Sequence, residues 1–280
     1  MKHSRKISFF IILAAYLFAA TAGIYFWFKF ETFQFWQRVF IADIGATAVI
    51  FLISVIFDNA SVYDPYWSIQ PMVITPLLAA AKGNFGISSI LLIILIELWG
   101  ARLTLNWARN FKDLSVQDWR YENIRKKTGK AYYLIVFLGI QLMPTLIVFA
   151  CQMPIIEFFK SEPRFSFWCV IGILISLYGI ILEVVADRAK RNFRSKGNTG
   201  VVNIGIWKRH RHPNYLGEIM FWWGIWAVVF SFSPELWWTF FGSAINTFLF
   251  LFISIPLAEK QSEKRHSEEW GKYRDSTSIF

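Results

Sequence analysis

The carboxylates near residue 185 are one group of side chains in this sequence that could hold a polar ligand. Glu183 and Asp187 are four residues apart and therefore share one face of a helix, and Arg191 and Arg194 follow on a similar face. Carboxylates accept hydrogen bonds from hydroxyl groups, whereas arginines bind phosphates. This spacing fits either a structural ladder of ion pairs or a site for a ligand with hydroxyls and phosphates, such as a nucleotide.

A second group of chemically capable residues is the string Arg-His-Pro-Asn-Tyr-Leu-Gly-Glu at residues 211–218. Pro213 suits the first turn of a helix, whose unpaired backbone N–H groups form an anion site beside Arg211. Asn214 and Glu218 share one face of this helix and offer a donor and an acceptor to a flat heteroaromatic amide. The alternative is a helix cap with an interfacial salt bridge. The cost of a carboxylate in hydrocarbon, about 3 kcal/mol or more, favours the ligand site.

The elements that position these residues are predicted to be membrane helices. Of the 280 residues, 55% are hydrophobic and only 17% are charged, whereas soluble domains are about a quarter charged. The apolar residues form long segments, most of them near the roughly 20 residues that cross a bilayer. This pattern excludes a disordered chain, a collagen-like fibre and a disulfide-stapled domain. We expect an all-α, polytopic helical bundle with seven or eight transmembrane helices, in apolar segments 7–28, 39–57, 69–81, 86–105, 131–159, 167–186, 216–232 and 236–257.

Loop charges predict the orientation of this bundle. Basic residues crowd into 109–130, 187–211 and the tail after residue 258, which the positive-inside rule places in the cytoplasm together with the C-terminus. The net charge of +10 therefore reflects membrane topology, and no nucleic-acid partner is predicted. If segment 69–81 crosses the membrane, there are eight spans and the N-terminus is cytoplasmic; otherwise there are seven spans. Basic residues before the first apolar segment favour eight spans. A single transmembrane domain is predicted over 1–280.

Few other residues indicate chemistry. Cys151 and Cys169 lie inside apolar segments without ligand spacing, so we predict no metal site. Glu97 lies within the fourth apolar segment, where a carboxylate either pairs with a cation or faces a cavity. A transporter or structural membrane protein remains an alternative, although no inverted repeat is visible in the sequence.

The C-terminal part of the chain resembles the steroid 5-alpha-reductase family, most closely its bacterial branch catalogued as DUF1295. The resemblance is dense from about residue 180 onward, and isoprenylcysteine carboxyl methyltransferases and sterol reductases share the Arg-His-Pro-x-Tyr pattern. The strings that carry it are Glu183-x-x-x-Asp187, Phe193-Arg194, Gly205-Ile206-Trp207, residues 211–218 and Glu269-Trp270-Gly271-Lys272-Tyr273.

This resemblance implies a membrane-embedded reductase that uses NADPH, bound by the C-terminal half at about 180–280. Its reaction would be reduction of a carbon–carbon double bond conjugated to a carbonyl, in a lipophilic, steroid- or isoprenoid-like substrate. It further implies a bacterial inner membrane and contact with membrane lipid, and no obligate protein partner is evident. The cofactor-binding residues it implies are Glu183 and Asp187 for the ribose and nicotinamide side, Arg191 and Arg194 for the phosphates, Asn214 and Glu218 for the carboxamide, and Arg211, His212, Tyr215 and Tyr273 around them.

The catalytic residues are less well defined by the resemblance. Trp67-Ser68-Ile69-Gln70 fits a Trp-x-x-Gln element of the family's substrate pocket, but Pro71 follows where the animal enzymes have a glutamate. Trp99 stands where those enzymes have a tyrosine. The candidates that remain for polarising the carbonyl are Gln70, Tyr66 and Glu97. The alternative function is an S-adenosylmethionine-dependent methyltransferase, which would not need the arginines after Asp187.

Overall fold

The computed structural model describes residues 4–161 and 163–280, and it confirms the all-α prediction. The described residues form no strand, and a single parallel bridge joins His210 to Ser278. Short 3-10 and π segments connect several of the α-helices. The α-helices are α1 (Arg5–Lys29), α2 (Phe35–Ile56), α3 (Tyr66–Lys82), α4 (Ile87–Asn110), α5 (Trp119–Thr128), α6 (Tyr132–Ile135), α7 (Met143–Phe158), α8 (Cys169–Ser195), α9 (Pro213–Phe232), α10 (Phe241–Leu249), α11 (Ile255–Arg265) and α12 (Ser267–Ser276).

The helix ends follow from individual residues. Hydrocarbon offers no partner for backbone N–H and C=O groups, so the apolar segments must satisfy them internally as helices. The Ser4 side chain caps α1 by accepting a hydrogen bond from the backbone N–H of Ile7. Gly83 ends α3 with a φ of 60°, a left-handed conformation that suits glycine. As predicted, α9 begins at Pro213.

Seven helical stretches of the described chain are long and apolar enough to cross a membrane. They confirm a multi-pass integral membrane protein. With 17 residues, including Pro71 and Pro76, α3 is not among the seven, so the eighth span remains a prediction. The seven stretches are Arg5–Lys29, Phe35–Ile56, Ile87–Asn110, Trp119–Phe158, Cys169–Ser195, Pro213–Phe232 and Pro234–Arg265.

Internal contacts divide the chain into two compact units. Unit 1 contains residues 4–85 and 103–161, and unit 2 contains residues 86–102 and 163–280. The boundary falls inside α4, which contributes residues to both units. The prediction of a single domain over 1–280 remains a prediction. The half of the chain predicted to bind the cofactor lies wholly in unit 2.

Buried polar contacts tie the helices of unit 1 together. In this unit α1 packs on α2, and α7 packs on α2 and α3. The Tyr16 hydroxyl donates to the backbone carbonyl of Val62 at 2.8 Å. The hydroxyl of Thr145 on α7 lies 3.2 Å from that of Thr47 on α2 and 2.9 Å from that of Tyr63. These contacts join α1, α2 and α7 to one another and to the segment just before α3, the helix that carries Tyr66 and Gln70.

Candidate functional site

An arginine of α4 lies between the two carboxylates of α8 in unit 2. The Arg102 guanidinium pairs with Glu183 Oε2 through Nη2, and its Nη1 donates to Asp187 Oδ2 at 3.0 Å. The side chain of Glu183 is only 3% exposed, and that of Arg102 is 10% exposed. The two predicted ligand residues are therefore brought together, and one buried cation pairs with both of them.

Two polar atoms of this cluster have no partner. Glu183 Oε1 and Arg102 Nε are buried, and neither makes a hydrogen bond to any described residue. Buried polar atoms in proteins are nearly always paired, so unpaired ones require an explanation. An acceptor and a donor in one cluster fit a ligand hydroxyl, which can donate to the carboxylate and accept from the guanidinium.

Glu218 is held by two tryptophans. Trp99 Nε1 donates to Glu218 Oε2 at 2.9 Å, and Trp222 Nε1 donates to Glu218 Oε1 at 2.8 Å. The Trp99 ring stacks on Phe221, with ring centroids 5.1 Å apart and planes 4° apart. Each carboxylate oxygen has a second lone pair, so this arrangement leaves Glu218 able to accept further hydrogen bonds. It also gives Trp99 a structural role that sequence comparison did not indicate.

A close approach of α8 and α9 brings Glu183 against the backbone of α9. A Cβ atom added at Gly217 would lie 2.5 Å from Glu183 Cγ and 2.6 Å from the carbonyl oxygen of Gly179. Only glycine leaves enough space at this crossing. Gly217 therefore permits the close approach of α8 to α9 beside Glu183.

The first turn of α9 presents Asn214 and Tyr215. Both side chains are half-buried, four and three residues before the buried Glu218. The Tyr215 ring stacks on His212, with centroids 5.3 Å apart, and is tilted against Phe250 at 4.8 Å. Asn214 is thus placed on the face of α9 expected for a residue that acts with Glu218.

Arg211 and His212 contact Glu259 of α11. Arg211 Nε donates to Glu259 Oε1 at 2.9 Å, and His212 Nε2 lies 3.1 Å from the same oxygen. Burial lowers the pKa of His212 below its ordinary value, although Glu259 acts in the opposite direction. The imidazole is therefore neutral at pH 7, and its Nε2–H donates to the carboxylate.

The C-terminal tail lies against the loop that precedes α9. Arg211 Nη1 donates to the carbonyl oxygens of Arg274 and Thr277, and the backbone N–H of Arg211 donates to the Ser278 carbonyl at 2.9 Å. Tyr273 donates its hydroxyl to the Trp207 carbonyl at 2.5 Å, and burial raises its pKa to about 12. Arg211 and Tyr273 thus hold this loop in place, and their predicted contacts with a cofactor remain predictions.

The remaining predicted residues lie on α3, α4 and α8. Arg194 is exposed and donates to the backbone carbonyl of Asn198 at 3.0 Å, and Arg191 is half-buried one turn before it. In unit 1, the Tyr66 hydroxyl donates to Asp43 Oδ1 at 3.2 Å, and Gln70 Oε1 accepts from Gln152 at 2.8 Å. Glu97 of unit 2 is half-buried on α4.

Three residues that were not among the predicted site residues also belong to these clusters. Arg102 is an arginine inside an apolar segment, so the expectation that such a cation is paired could have flagged it. Asp43 is a buried carboxylate near the start of α2, and it too is a charged side chain inside an apolar segment, for which a partner is expected. Nothing in the sequence distinguishes Trp222 from the other tryptophans.

In the part of the chain described by the structure, no three His, Cys, Asp or Glu side chains form a metal site.

Comparison with known proteins identifies the family. A family model described as "Protein of unknown function (DUF1295)" matches residues 50–277. The chain belongs to the DUF1295 family. This match begins well before residue 180, where the recognisable motifs start, and it covers α3 to α12 together with the end of α2. No solved structure matches the chain significantly.

Two relatives of this DUF1295 protein add detail. It is 32% identical over 117 residues to 3-oxo-5-alpha-steroid 4-dehydrogenase 1 of Homo sapiens, covering 41% of this chain and 40% of the relative. It is 24% identical over 201 residues to "Uncharacterized protein C594.04c" of Schizosaccharomyces pombe, covering 62% of this chain and 58% of the relative. The chain thus matches less than two thirds of each relative. With the family match, these similarities confirm a steroid 5-alpha-reductase-like family.

Proposed function

We propose that this protein is a membrane-embedded, NADPH-dependent reductase. Its substrate is a lipophilic, steroid- or isoprenoid-like molecule, in which it reduces a carbon–carbon double bond conjugated to a carbonyl. The observation that carries the proposal is the unpaired Glu183 Oε1 beside the buried Arg102 ion pair. The similarity to a human steroid dehydrogenase supports an oxidoreductase.

The residues of unit 2 fit a nicotinamide nucleotide by the chemistry of their donors and acceptors. Glu183 and Asp187 supply acceptors for ribose hydroxyls, and Arg191 and Arg194 follow on α8 as cations for phosphates. Asn214 supplies both a donor and an acceptor for the carboxamide. When bound, the nucleotide supplies the hydride, and the protein contributes its orientation.

The charges of this cluster and of Glu218 support this assignment further. Arg102 offsets one of the two negative charges of Glu183 and Asp187, so the cluster retains negative charge and acceptor oxygens for the hydroxyl groups of a ribose. Glu218 receives two indole N–H groups, which fix its carboxylate without neutralising it. A fixed carboxylate on the face of Asn214 orients a ligand amide by accepting from its NH2 group.

Hydride addition at the β carbon places negative charge on the carbonyl oxygen, so a hydrogen-bond donor must stabilise that oxygen. Gln70, Tyr66 and Glu97 remain the predicted candidates. Turnover of NADPH with an enone substrate by Gln70→Leu, Tyr66→Phe and Glu97→Leu variants separates them. The variant that loses turnover while keeping nucleotide affinity identifies the polarising group.

The first experiment is to purify the protein in mild detergent without added ligand and identify any bound nucleotide by mass spectrometry after denaturation. We expect NADPH or NADP. Bound S-adenosylmethionine would instead support a methyltransferase. An empty preparation is then titrated with NADPH, and failure to bind it contradicts the proposal.

The role of Asn214 is tested with the variant Asn214→Ala, and Asn203→Ala is its matched control. Asn214 lies in the first turn of α9, and Asn203 is exposed in the loop before it. Losing the carboxamide hydrogen bonds should weaken NADPH binding about tenfold, which corresponds to roughly 1.4 kcal/mol. Asn203→Ala should bind as the wild type does. Equal affinity of both variants would refute the role assigned to Asn214.

A further inference from the structure

Unit 1 carries a strongly basic helix that the reduction proposed above does not use. Residues 119–130, which cover α5, contain five basic residues and one acidic residue, a net charge of +4. By contrast, residues 255–276, which cover α11 and α12, contain five basic and five acidic residues and so have no net charge. None of the residues proposed to hold the nucleotide lies on α5. Its excess of positive charge therefore requires a separate explanation.

One face of α5 fixes the helix to the rest of unit 1. Tyr121 is 5% exposed, and its hydroxyl donates to Asp64 Oδ1 at 2.6 Å. Four residues later, Arg125 Nη1 donates to Asp58 Oδ2 at 3.1 Å. Residues four apart share one face of a helix, so α5 has a defined inner face. The side chains on its other side are thereby held in a fixed direction, away from the core.

The other side of α5 presents three lysines without partners. Lys126, Lys127 and Lys130 are exposed, and none of them makes an ion pair or a hydrogen bond to any residue in 4–161 or 163–280. The other exposed basic residue of the helix, Arg120, pairs with Asp118 at 2.9 Å. At the rise of an α-helix the three lysines extend over about 6 Å. They form a compact cationic surface, called here the lysine patch.

The length of this helical region determines the level of the lysine patch in the membrane. The stretch Trp119–Phe158 has 40 residues, about twice the roughly 20 that cross hydrocarbon, so its charged beginning must lie outside the hydrocarbon. Gly129, with a φ of 51°, separates α5 from the apolar residues that follow. Leu134 and Leu138, four and eight residues after Lys130, are 60% and 49% exposed. The lysine patch thus lies at the level of the lipid headgroups, next to an apolar surface that faces lipid.

A phospholipid with a net negative charge is complementary to both parts of this surface. Ammonium groups donate charge-assisted hydrogen bonds to phosphate oxygens, and exposed leucines pack on an acyl chain. A zwitterionic phospholipid carries a cation of its own, which the lysines repel. Basic residues at a membrane surface attract anionic lipid for the same reason.

We propose that Lys126, Lys127 and Lys130 bind the headgroup of an anionic phospholipid, whose acyl chain lies along Leu134 and Leu138. The positive-inside rule concerns only the side of the membrane on which basic residues lie. Binding of one class of lipid is an additional property of the lysine patch. The site consists of unit 1 residues alone and does not depend on the nucleotide or on the reduction proposed above.

Native mass spectrometry of the protein in a non-ionic detergent tests the proposal, by titration with palmitoyl-oleoyl phosphatidylglycerol and separately with palmitoyl-oleoyl phosphatidylcholine. The two lipids have the same acyl chains and differ in net charge. We expect the wild type to bind phosphatidylglycerol at least about tenfold more tightly, and the triple variant Lys126→Gln, Lys127→Gln, Lys130→Gln to lose this preference. Arginine at the same three positions retains the charges and should retain the preference. Equal affinity of the wild type for the two lipids would overturn the proposal.

A charge-matched variant distinguishes a local site from the charge of the whole protein. Lys260→Gln, Lys264→Gln and Lys272→Gln remove the same three charges from exposed positions of α11 and α12, where acidic residues balance the basic ones. This variant should prefer phosphatidylglycerol as the wild type does. An equal loss of preference in both glutamine variants would contradict a site on α5.

Two further measurements test whether the ligand is a lipid and where it lies. Glycerol phosphate has the phosphate but no acyl chain, so it should not displace phosphatidylglycerol; displacement at equal concentration would mean a site for a soluble anion and would overturn the lipid assignment. In vesicles with equal amounts of the two lipids, a benzophenone side chain in place of Leu134 should cross-link phosphatidylglycerol preferentially. The same side chain in place of Leu174, which is 61% exposed on α8, should cross-link both lipids alike. Equal cross-linking at position 134 would refute the proposed path of the acyl chain.

Discussion

Replacing Arg102 with methionine removes the cation that pairs with two carboxylates inside unit 2. The side chains of Arg102, Glu183 and Asp187 are 10%, 3% and 18% exposed, so water screens the cluster poorly. Removing one partner of a buried ion pair costs about 3–5 kcal/mol, because the remaining charge stays buried and uncompensated. At about 2–4 °C per kcal/mol for a chain of this size class, the apparent melting temperature should fall by roughly 10 °C.

The assay is thermal unfolding in detergent without nucleotide, followed by near-ultraviolet circular dichroism at one fixed scan rate. Arg120→Met is the matched control, because the Arg120 side chain is 59% exposed in its pair with Asp118. Such a surface pair contributes at most about 1 kcal/mol, so this variant should melt within a few degrees of the wild type.

A double variant tests the cause of the destabilisation. Arg102→Met combined with Glu183→Gln removes the cation together with the most deeply buried carboxylate. If the uncompensated charge is the cause, the double variant should be more stable than Arg102→Met alone. The reasoning is refuted if Arg102→Met has the same melting temperature as Arg120→Met, or if adding Glu183→Gln to Arg102→Met lowers the melting temperature further.

Three further predictions concern packing, pH and cofactor preference. Gly217→Ala should lower the melting temperature, because its Cβ would lie 2.5 Å from Glu183 Cγ, whereas Gly271→Ala, with nothing within 4 Å, should not. Burial raises the pKa of Asp64 to about 6, so the folded state binds more protons than the unfolded state between about pH 4 and 6, and stability falls as the pH rises through that range. Asp64→Asn should therefore raise the melting temperature at pH 8 relative to the wild type and lose most of this advantage at pH 4; an equal effect at both values would contradict the assignment. Arg194→Ala should reduce the ratio of NADPH to NADH affinity in paired titrations, and an unchanged ratio would remove Arg194 from the phosphate site.

Much of the fold could be predicted from the sequence, because long apolar segments in hydrocarbon must form helices. The first segment, predicted over 7–28, forms α1 at Arg5–Lys29, and the segment predicted over 216–232 forms α9 at Pro213–Phe232. Helix ends extend beyond the apolar segments, since polar residues at the bilayer boundary continue the helical hydrogen bonds. The segment predicted over 131–159 belongs to a longer helical stretch, Trp119–Phe158. The beginning of this stretch is polar, so hydropathy could not indicate it.

The candidate site was predictable only within single helices. The four-residue spacing of Glu183 and Asp187 places them on one face, as does that of Asn214 and Glu218, and the structure retains both arrangements. Helical periodicity is a local property, so sequence alone suffices for it. Gly217 was also recognisable, since a glycine among large residues in a membrane helix indicates a close approach.

By itself, therefore, the sequence determined an all-helical membrane protein and the approximate extent of its helices. It also determined that Glu183 and Asp187 share one face of α8 and that Asn214 and Glu218 share one face of α9. Only the tertiary structure decided that Arg102 pairs with Glu183 and Asp187, and that Trp99 and Trp222 hold Glu218. It also decided that Arg125 of α5 pairs with Asp58, whereas the lysine patch has no such partner among the described residues. The physical reason is that such partners come from segments distant in sequence, and their meeting depends on how helices pack side by side, which local spacing does not encode.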